Sequence, residues 1–493
     1  MKVRPILSYQ RTFILRVTAN ESFIKTPYLV QLDARRYLVS RSFEKRGGLD
    51  IENSISTPSS KDPSNPWNQA TFSQDDISNF SIPKLSELLS AEFDINQNIV
   101  INDELQEKLR HTLWHFRAPI RYAFVYGSGV FPQSNEKISL PNHLSKNTNA
   151  SVAVMKAKSG APKMVDFIFG VSHTQHWHSL NLTQHRDHYS ALGSLGSGAV
   201  SMVQDKFGAG VYFNPYLSVN GILIKYGVVN IDTLCTDLTN WTTLYLAGRL
   251  QKPVKILRDD PRVRSANQTN LISALRAALL LLPSEFTEYE LYSTISSLSY
   301  IGDLRMTLPT ENPRKVTSIV AYNLPNFRRL YLPLIEKLPN ICFKDFKYSG
   351  LDWISDPLIN LRLIQDMDSV KRGNMVRRLP GAFRSKLYFH YQRKYQIPQL
   401  EFDEMLEASS GRDEIRIKRC EGGSFEQRIA NEPPEILRNE MRSVIKNTVR
   451  WPSTSQSLKG LLTAGVAKTW RYVREKIAKN RQGKLDVTET SEK

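Results

Sequence analysis

Cysteine is nearly absent: Cys235, Cys342 and Cys420 are the only three in 493 residues. They are far apart and odd in number, which argues against a disulfide framework and a CxxC zinc site. Long apolar runs are missing as well. The longest strongly apolar helical run, Ala277 to Leu282, stops at Pro283. It falls far below the roughly 20 residues a spanning helix needs. Any contact with a membrane must therefore come from the surface.

Acidic residues are scarce at the start. Glu21 is the first, after Lys2, Arg4, Arg11 and Arg16. Hydroxyl and apolar residues fill the gaps, and no clean apolar core precedes a cleavage site. Residues 1–46 read as a mitochondrial transit peptide rather than a secretory signal; the alternative is a basic tail. Over the whole chain the formal charge is 66 − 48 = +18. That excess favours anionic partners, whether nucleic acid, anionic lipid or nucleotide, without choosing among them.

Residues 47–85 are rich in Ser, Pro, Asn and Asp. They bury too little apolar surface to offset their ordering entropy and read as a disordered linker. From 86 to 250 helical and strand patterns alternate, the signature of an α/β domain. Expected strands are Ile120–Val125, Val165–Val171 and Gly221–Val229; expected helices are Leu105–Phe116 and Thr236–Leu250. Residues 251–330 read as short helices of a small helical or winged-helix-like module, over Leu271–Leu282, Glu285–Ser297 and Arg314–Tyr322. Residues 331–450 read as mostly helical and basic.

The C-terminal stretch, 455–485, carries a stripe. Leu458, Leu461, Leu462, Val466, Trp470, Val473 and Ile477 lie on one helical face, with Lys459, Lys468, Arg471 and Arg474 among the remaining positions. A Trp/Leu face beside a Lys/Arg face suits an interfacial membrane helix beyond a break at Pro452. Leu461, Leu462, Trp470, Val473 and Ile477 are the expected membrane contacts. The alternatives are a helix docked on the protein's own core or one bound to nucleic acid.

Two short motifs bear on chemistry. Ala123-Phe124-Val125-Tyr126 runs into Gly127-Ser128-Gly129, and Asp166 interrupts the apolar run Met164–Phe169. Small residues ending a strand let backbone N–H groups approach phosphate oxygens, although such a tripeptide also marks ordinary turns. A carboxylate inside an apolar run must be ligated or hydrogen-bonded. It reads as a Mg²⁺ ligand or as a structural cap.

Five histidines crowd one window: His173, His176, His178, His185 and His188. The window lacks companion cysteines and HExxH spacing, so zinc is not expected there. His188-Tyr189-Ser190 is expected near a site, with His173 and His176 exposed. Lys225, mid-strand, either snorkels or faces an anion. Asn214 could hold a base, a phosphate or a turn. Asp237, with Asp232 in reserve, is either a second metal ligand or an N-cap.

These residues resemble a known family in order and spacing. The blocks are Tyr126-Gly127-Ser128-Gly129-Val130-Phe131, Asp166-Phe167-Ile168-Phe169, Trp177-His178…Asn181…His188-Tyr189-Ser190, and Gly208–Pro215 with Lys225-Tyr226-Gly227. Asp237…Trp241…Arg249…Lys252-Pro253, Ser299-Tyr300 and Lys315-Val316 continue them. Together, over roughly 105–390, they are similar to the mitochondrial translocator assembly and maintenance family, the peripheral phosphatidate cytidylyltransferases. The resemblance implies a nucleotidyltransferase-type α/β domain followed by a winged-helix-like domain, to which the stripe adds a C-terminal amphipathic helix.

It also implies an activity, CTP + phosphatidate → CDP-diacylglycerol + pyrophosphate with Mg²⁺. The implied place is the matrix side of the mitochondrial inner membrane, on an anionic lipid surface at the entry to cardiolipin synthesis. Gly127, Ser128 and Gly129 would hold the triphosphate, with Asn214, Tyr189 and Ser190 as further CTP contacts. Asp166 would bind metal, and Lys225 and His188 would complete the catalytic set. One departure stands out: the wider superfamily often has a second acid two residues after the metal aspartate, and here that position is Ile168. Competing readings are a nucleotidyltransferase acting on nucleic acid and a non-catalytic scaffold for translocase assembly.

Overall fold

The computed structural model describes residues 99–131, 164–307, 314–344, 352–410 and 423–464, plus positions 133, 312 and 474. All lie within one compact unit. The leader and linker readings fall outside the described residues, as do Val466, Trp470, Val473 and Ile477.

Helix α1 (Asp103–Trp114) leads into β1 (Tyr122–Tyr126), a buried Tyr-Ala-Phe-Val-Tyr run. β2 (Val165–Val171) pairs antiparallel with β1 and places Tyr126 opposite Asp166. Helices α2 (Thr174–Gln184) and α3 (Gly196–Lys206) follow. Then come β3 (Val211–Val219) and β4 (Ile222–Asn230), joined by Asn220-Gly221 with both φ angles positive, 50° and 77°. Such a pair forms the two-residue hairpin turn whose twist matches its strands. β3 was not expected: Gly208 and Gly210 punctuate its start, and a register shift after Asn214, with Tyr216 at φ 56°, hides its period. After α4 (Ile231–Asn240), β5 (Lys255–Arg258) closes a mixed sheet in the order β3-β4-β2-β1-β5.

The pleat divides the side chains between two cores. Tyr122, Phe124, Ile168, Val211, Phe213 and Val229 face one. Ala123, Val125, Phe167, Phe169, Tyr226 and Val228 face the other, with Trp177 and the Leu105 and Leu109 stripe of α1.

The first core continues into α5 (Pro261–Leu281), started by Asp260, whose side chain accepts from Arg262 N–H. A second sheet follows, built of β6 (Glu285–Thr287), β7 (Ile341–Phe343) and β8 (Arg362–Gln365) in the order β6-β8-β7. Helices α6 (Glu288–Ser297), α7 (Lys315–Ala321) and α8 (Leu324–Glu336) pack with it. The boundary expected at 330 therefore falls inside α8, and sheet pairing joins the two segments it was meant to separate. The expected helix 285–297 begins as strand, because Thr287 caps α6 only from that point. Buried Arg328 ties the unit together: its Nε reaches both Glu288 oxygens at 3.1 Å and one terminal nitrogen donates to the Trp353 carbonyl at 2.9 Å.

Helices α9 (Ser369–Arg377), α10 (Gly381–Tyr395), α11 (Gln399–Ser410) and α12 (Ser424–Ala430) precede the last, α13 (Pro434–Ala464). The break expected at Pro452 does not occur. An interior proline costs about 3 kcal/mol, but packing on both sides outweighs it. Leu437, Met441, Ile445 and Val449 are buried before Pro452, and Ser453, Gln456, Lys459 and Thr463 after it. No helix among the described residues is long and apolar enough to cross a membrane.

Candidate functional site

Asp166 sits near the start of β2, where strand register sets it beside Lys225 of β4. The Lys225 ammonium lies 3.2 Å from the Asp166 carboxylate, with both side chains about one-fifth exposed. Lys225 also stands over the Phe213 ring at 4.4 Å. Past Tyr126 the chain turns sharply, the Val130 and Phe131 N–H groups donating to the Gly127 carbonyl at 3.1 and 2.9 Å. Gly127 has φ 85°, and a Cβ there would stand 3.2 Å from the Asp166 carboxylate. At Gly129 a Cβ would come within 2.7 Å of the Met164 carbonyl. Only glycine lets the turn fold this closely against the strand that carries the acid. The fold thus brings Gly127, Ser128, Gly129, Asp166 and Lys225 together.

A bank of cations continues the site. Arg249 Nε donates to the Tyr126 hydroxyl at 3.1 Å, and the guanidinium lies 3.9 Å from the Tyr245 ring centre. Lys252 and Lys315 stand over the Tyr300 ring at 5.0 and 5.3 Å. Lys252 also donates to the Ser299 hydroxyl at 2.9 Å and to the Gly248 carbonyl. Burial, then the charges of Arg249 and Lys315, push the Lys252 ammonium down to about 7. A bound anion would relieve that repulsion. Sequence reasoning gave these residues no role; the available signal was two cations three positions apart ending a helical pattern.

The other expected residues lie elsewhere. Tyr226 follows Lys225 on a pleated strand, so its side chain points to the opposite face. There its hydroxyl meets Asn181 Nδ2 at 2.9 Å, Asn214 Nδ2 at 2.8 Å and His188 Nδ1 at 3.0 Å. Tyr189 joins through Asn181 at 2.9 Å and His178 at 2.8 Å. Burial pushes the His178 imidazolium down to about 4, so this ring is neutral at physiological pH. His188, Tyr189 and Asn214 therefore build a polar network behind the sheet and do not meet Asp166. Ser190 donates to the Leu462 carbonyl of α13 at 2.7 Å. His173 and His176 are exposed.

The Asp237 and Asp232 readings are corrected. Asp237 is buried and its two oxygens accept from the backbone N–H groups of Thr243, Leu244, Leu246 and Ala247, and from the Thr242 and Thr243 hydroxyls. It holds a turn in which Trp241 and Leu244 take positive φ, 53° and 57°. Six donors leave no room for a metal ion. Asp232 pairs with Arg262 on the surface, beyond the opposite end of β4 from Lys225.

The C-terminal stripe is turned over relative to a helix docked by its apolar side. Lys459 is buried, donating to the Gln204 and Phe207 carbonyls at 3.1 and 2.6 Å. Gln456 donates to the Val211 carbonyl at 3.0 Å. Leu458, Leu461 and Leu462 face outward, 58, 48 and 66% exposed, with Trp451 a further exposed position at 72%.

A strand carboxylate, a glycine turn folded against it and a bank of cations make an arrangement whose chemistry suits a phosphorylated, anionic substrate. The family profile described as "Phosphatidate cytidylyltransferase, mitochondrial" matches residues 109–479, which hold every residue of that site. The chain belongs to this family. It is 36% identical to the Schizosaccharomyces pombe protein of that name over 384 residues, 78% of this chain and 86% of that one. Against the Xenopus laevis protein of the same name the identity is 35% over 375 residues, 76% and 94% of the two chains. The Dictyostelium discoideum protein of that name is 32% identical over 409 residues, 77% and 86%. The matched span runs well past residue 390, where the resemblance read from the sequence ended, and takes in α13.

Proposed function

We propose that this chain transfers the cytidylyl group of CTP to phosphatidate, releasing pyrophosphate and forming CDP-diacylglycerol. The observation that carries this reading is the Asp166–Lys225 pair set against the Gly127–Gly129 turn and continuous, through Tyr126 and Arg249, with Lys252 and Lys315.

The glycine turn fits the triphosphate, and Lys225 exchanges its carboxylate partner for a phosphate oxygen. Arg249, Lys252 and Lys315 draw in the remaining phosphate charge. The nucleophile, a phosphatidate phosphate oxygen, is already ionised at neutral pH, so no strong general base is needed. It attacks the α-phosphorus in line as pyrophosphate leaves, and positioning and charge neutralisation carry the rate. Asp166 is a hard, partly exposed oxygen donor and fits Mg²⁺, which takes one or two carboxylates plus substrate phosphates. When bound, the ion would neutralise charge across the triphosphate. No second acid is required of Ile168.

The family name places its members in mitochondria. The outward leucines of α13, with the Trp470 stripe beyond it, fit the matrix face of the inner membrane. The β6-β8-β7 sheet with α6–α8 fits a winged-helix-like domain. The test is labelled CTP and Mg²⁺ with purified protein and either phosphatidate liposomes or RNA. Label is expected in lipid. Label in RNA alone would overturn the reading in favour of a nucleic-acid enzyme, and lipid product undiminished in Asp166→Ala would remove the assigned site.

A further inference from the structure

We propose that His115, His185 and His188 form a second metal site, for a divalent transition ion of the zinc class, separate from Asp166. His115 and His185 are the C-cap residues of α1 and α2, and His188 closes the 3₁₀ turn Arg186–His188. Each offers a ring nitrogen, and the three lie within 4.8 Å of one another. Among the described residues they are the one group of three or more His, Cys, Asp or Glu side chains so placed. The rings stack in sequence, His115 on His185 and His185 on His188, with centres 4.5 Å apart in both pairs.

Chemistry and surroundings select the ion. Three imidazoles without a carboxylate are a borderline donor set, suited to Zn²⁺ and its neighbours and poor for Mg²⁺. Phe116 walls the cluster, its ring edge-on to His185 and His188 at 5.8 and 6.1 Å. Tetrahedral zinc with bonds near 2.0–2.1 Å needs its nitrogens about 3.3 Å apart. His115 and His185 are half-buried at element ends; to converge on one ion the stacked rings must turn out of their near-parallel planes, and His185 Nε2 must leave the His115 carbonyl, 3.4 Å away. The fourth position is left to water.

His188 has the orienting partner that ligating imidazoles use. Its Nδ1 meets the Tyr226 hydroxyl, which also meets the Asn181 and Asn214 amides. With both amides donating, Tyr226 gives its proton to His188 Nδ1; for Nδ1 to carry the proton instead, one amide must turn, since two lone pairs cannot accept from three donors. Turning the Asn214 amide gives its buried, unpartnered oxygen the Tyr226 proton. His188 Nδ1–H then donates to Tyr226 and presents an unprotonated Nε2. In the opposite arrangement Tyr226 donates to Nδ1, Nε2 carries the proton, and no ion binds.

The histidine window alone hid this site, because His115 lies 70 residues upstream of His185 in the sequence. An ion there would pin the ends of α1 and α2 to the back of the sheet. The full chain, stripped with a chelator and dialysed, is titrated with Zn²⁺ alone against a chromophoric competitor. One equivalent is expected to bind and to raise the thermal midpoint. His185→Ala and His115→Ala should each weaken binding at least about tenfold. His173→Ala with His176→Ala should leave it unchanged. The absence of stoichiometric Zn²⁺ binding to the wild type would overturn the proposal. So would undiminished binding by His185→Ala and His115→Ala variants whose circular dichroism matches the wild type.

Discussion

At the scale of single residues, two aspartates that look alike in sequence stand in opposite surroundings. Asp166 has one lysine partner and partial exposure, whereas Asp237 is saturated by six donors. Asp166→Asn is expected to lower CDP-diacylglycerol formation at least about a hundredfold while leaving the unfolding midpoint within a few degrees. Asp237→Ala is expected to do the reverse of a metal ligand's loss. It should cost about 3 kcal/mol or more in urea unfolding by orphaning buried N–H groups, with the divalent-ion titration of surviving activity unaltered. Asp166 was legible because an acid inside an apolar run demands an explanation. Asp237 was not, because its donors come from a non-repetitive turn with two strained residues that no periodicity reveals.

Lys252 adds a pH dependence with a definite sign. Its folded-state value, about 7, lies below the ordinary 10.5. Anion binding requires the charged form, so KM for the anionic substrates should rise as pH increases through about 7. Lys252→Arg, which stays protonated, should flatten that rise when KM is followed across about pH 6 to 9. For stability the sign is separate. Below about 7 the group is charged in both folded and unfolded chains, and the penalty for burying its charge is fully present. Between about 7 and 10.5 the unfolded chain holds the extra proton, so this group's contribution to stability rises with pH.

Among elements, strands β1, β2 and β4 were legible as apolar runs, and the motif residues fell where expected on them. Their facing was not anticipated. Alternation puts Lys225 and Tyr226 on opposite sides, so a motif contiguous in sequence divides between the site and the network behind it. Helix α13 misled differently. Its stripe was visible, but Lys459 and Gln456, which look like solvent-facing positions, are docking groups. Leu458→Glu with Leu462→Glu is expected to weaken sedimentation with anionic liposomes without shifting the unfolding midpoint, since both side chains are exposed. Gln456→Ala is expected to lower the midpoint instead, by stripping Ala209 N–H and the Val211 carbonyl of a partner.

For the molecule as a whole, the +18 charge announced an anionic partner without naming it. Liposome binding should weaken as salt rises, because each Lys or Arg near an anionic surface adds roughly 1 kcal/mol that counter-ions screen. A salt-insensitive remainder would belong to the leucines. The second sheet was not legible in the division drawn at residue 330, because β6, β7 and β8 are three or four residues long and pair across that boundary. The Asn220-Gly221 hairpin has a wider reach than its two residues suggest. β4 is held antiparallel to β3 on one side and parallel to β2 on the other. Its register against β3, and with it the face each β4 side chain turns to β2, is therefore set by how many residues the connection contains. Deleting one residue there would force β4 either to break step with β3 or to present the Tyr226 phenol where Asp166 now finds an ammonium, and adding one would present the Ile224 side chain there. The length of a surface turn is thus as much a determinant of the chemistry as the residues that perform it.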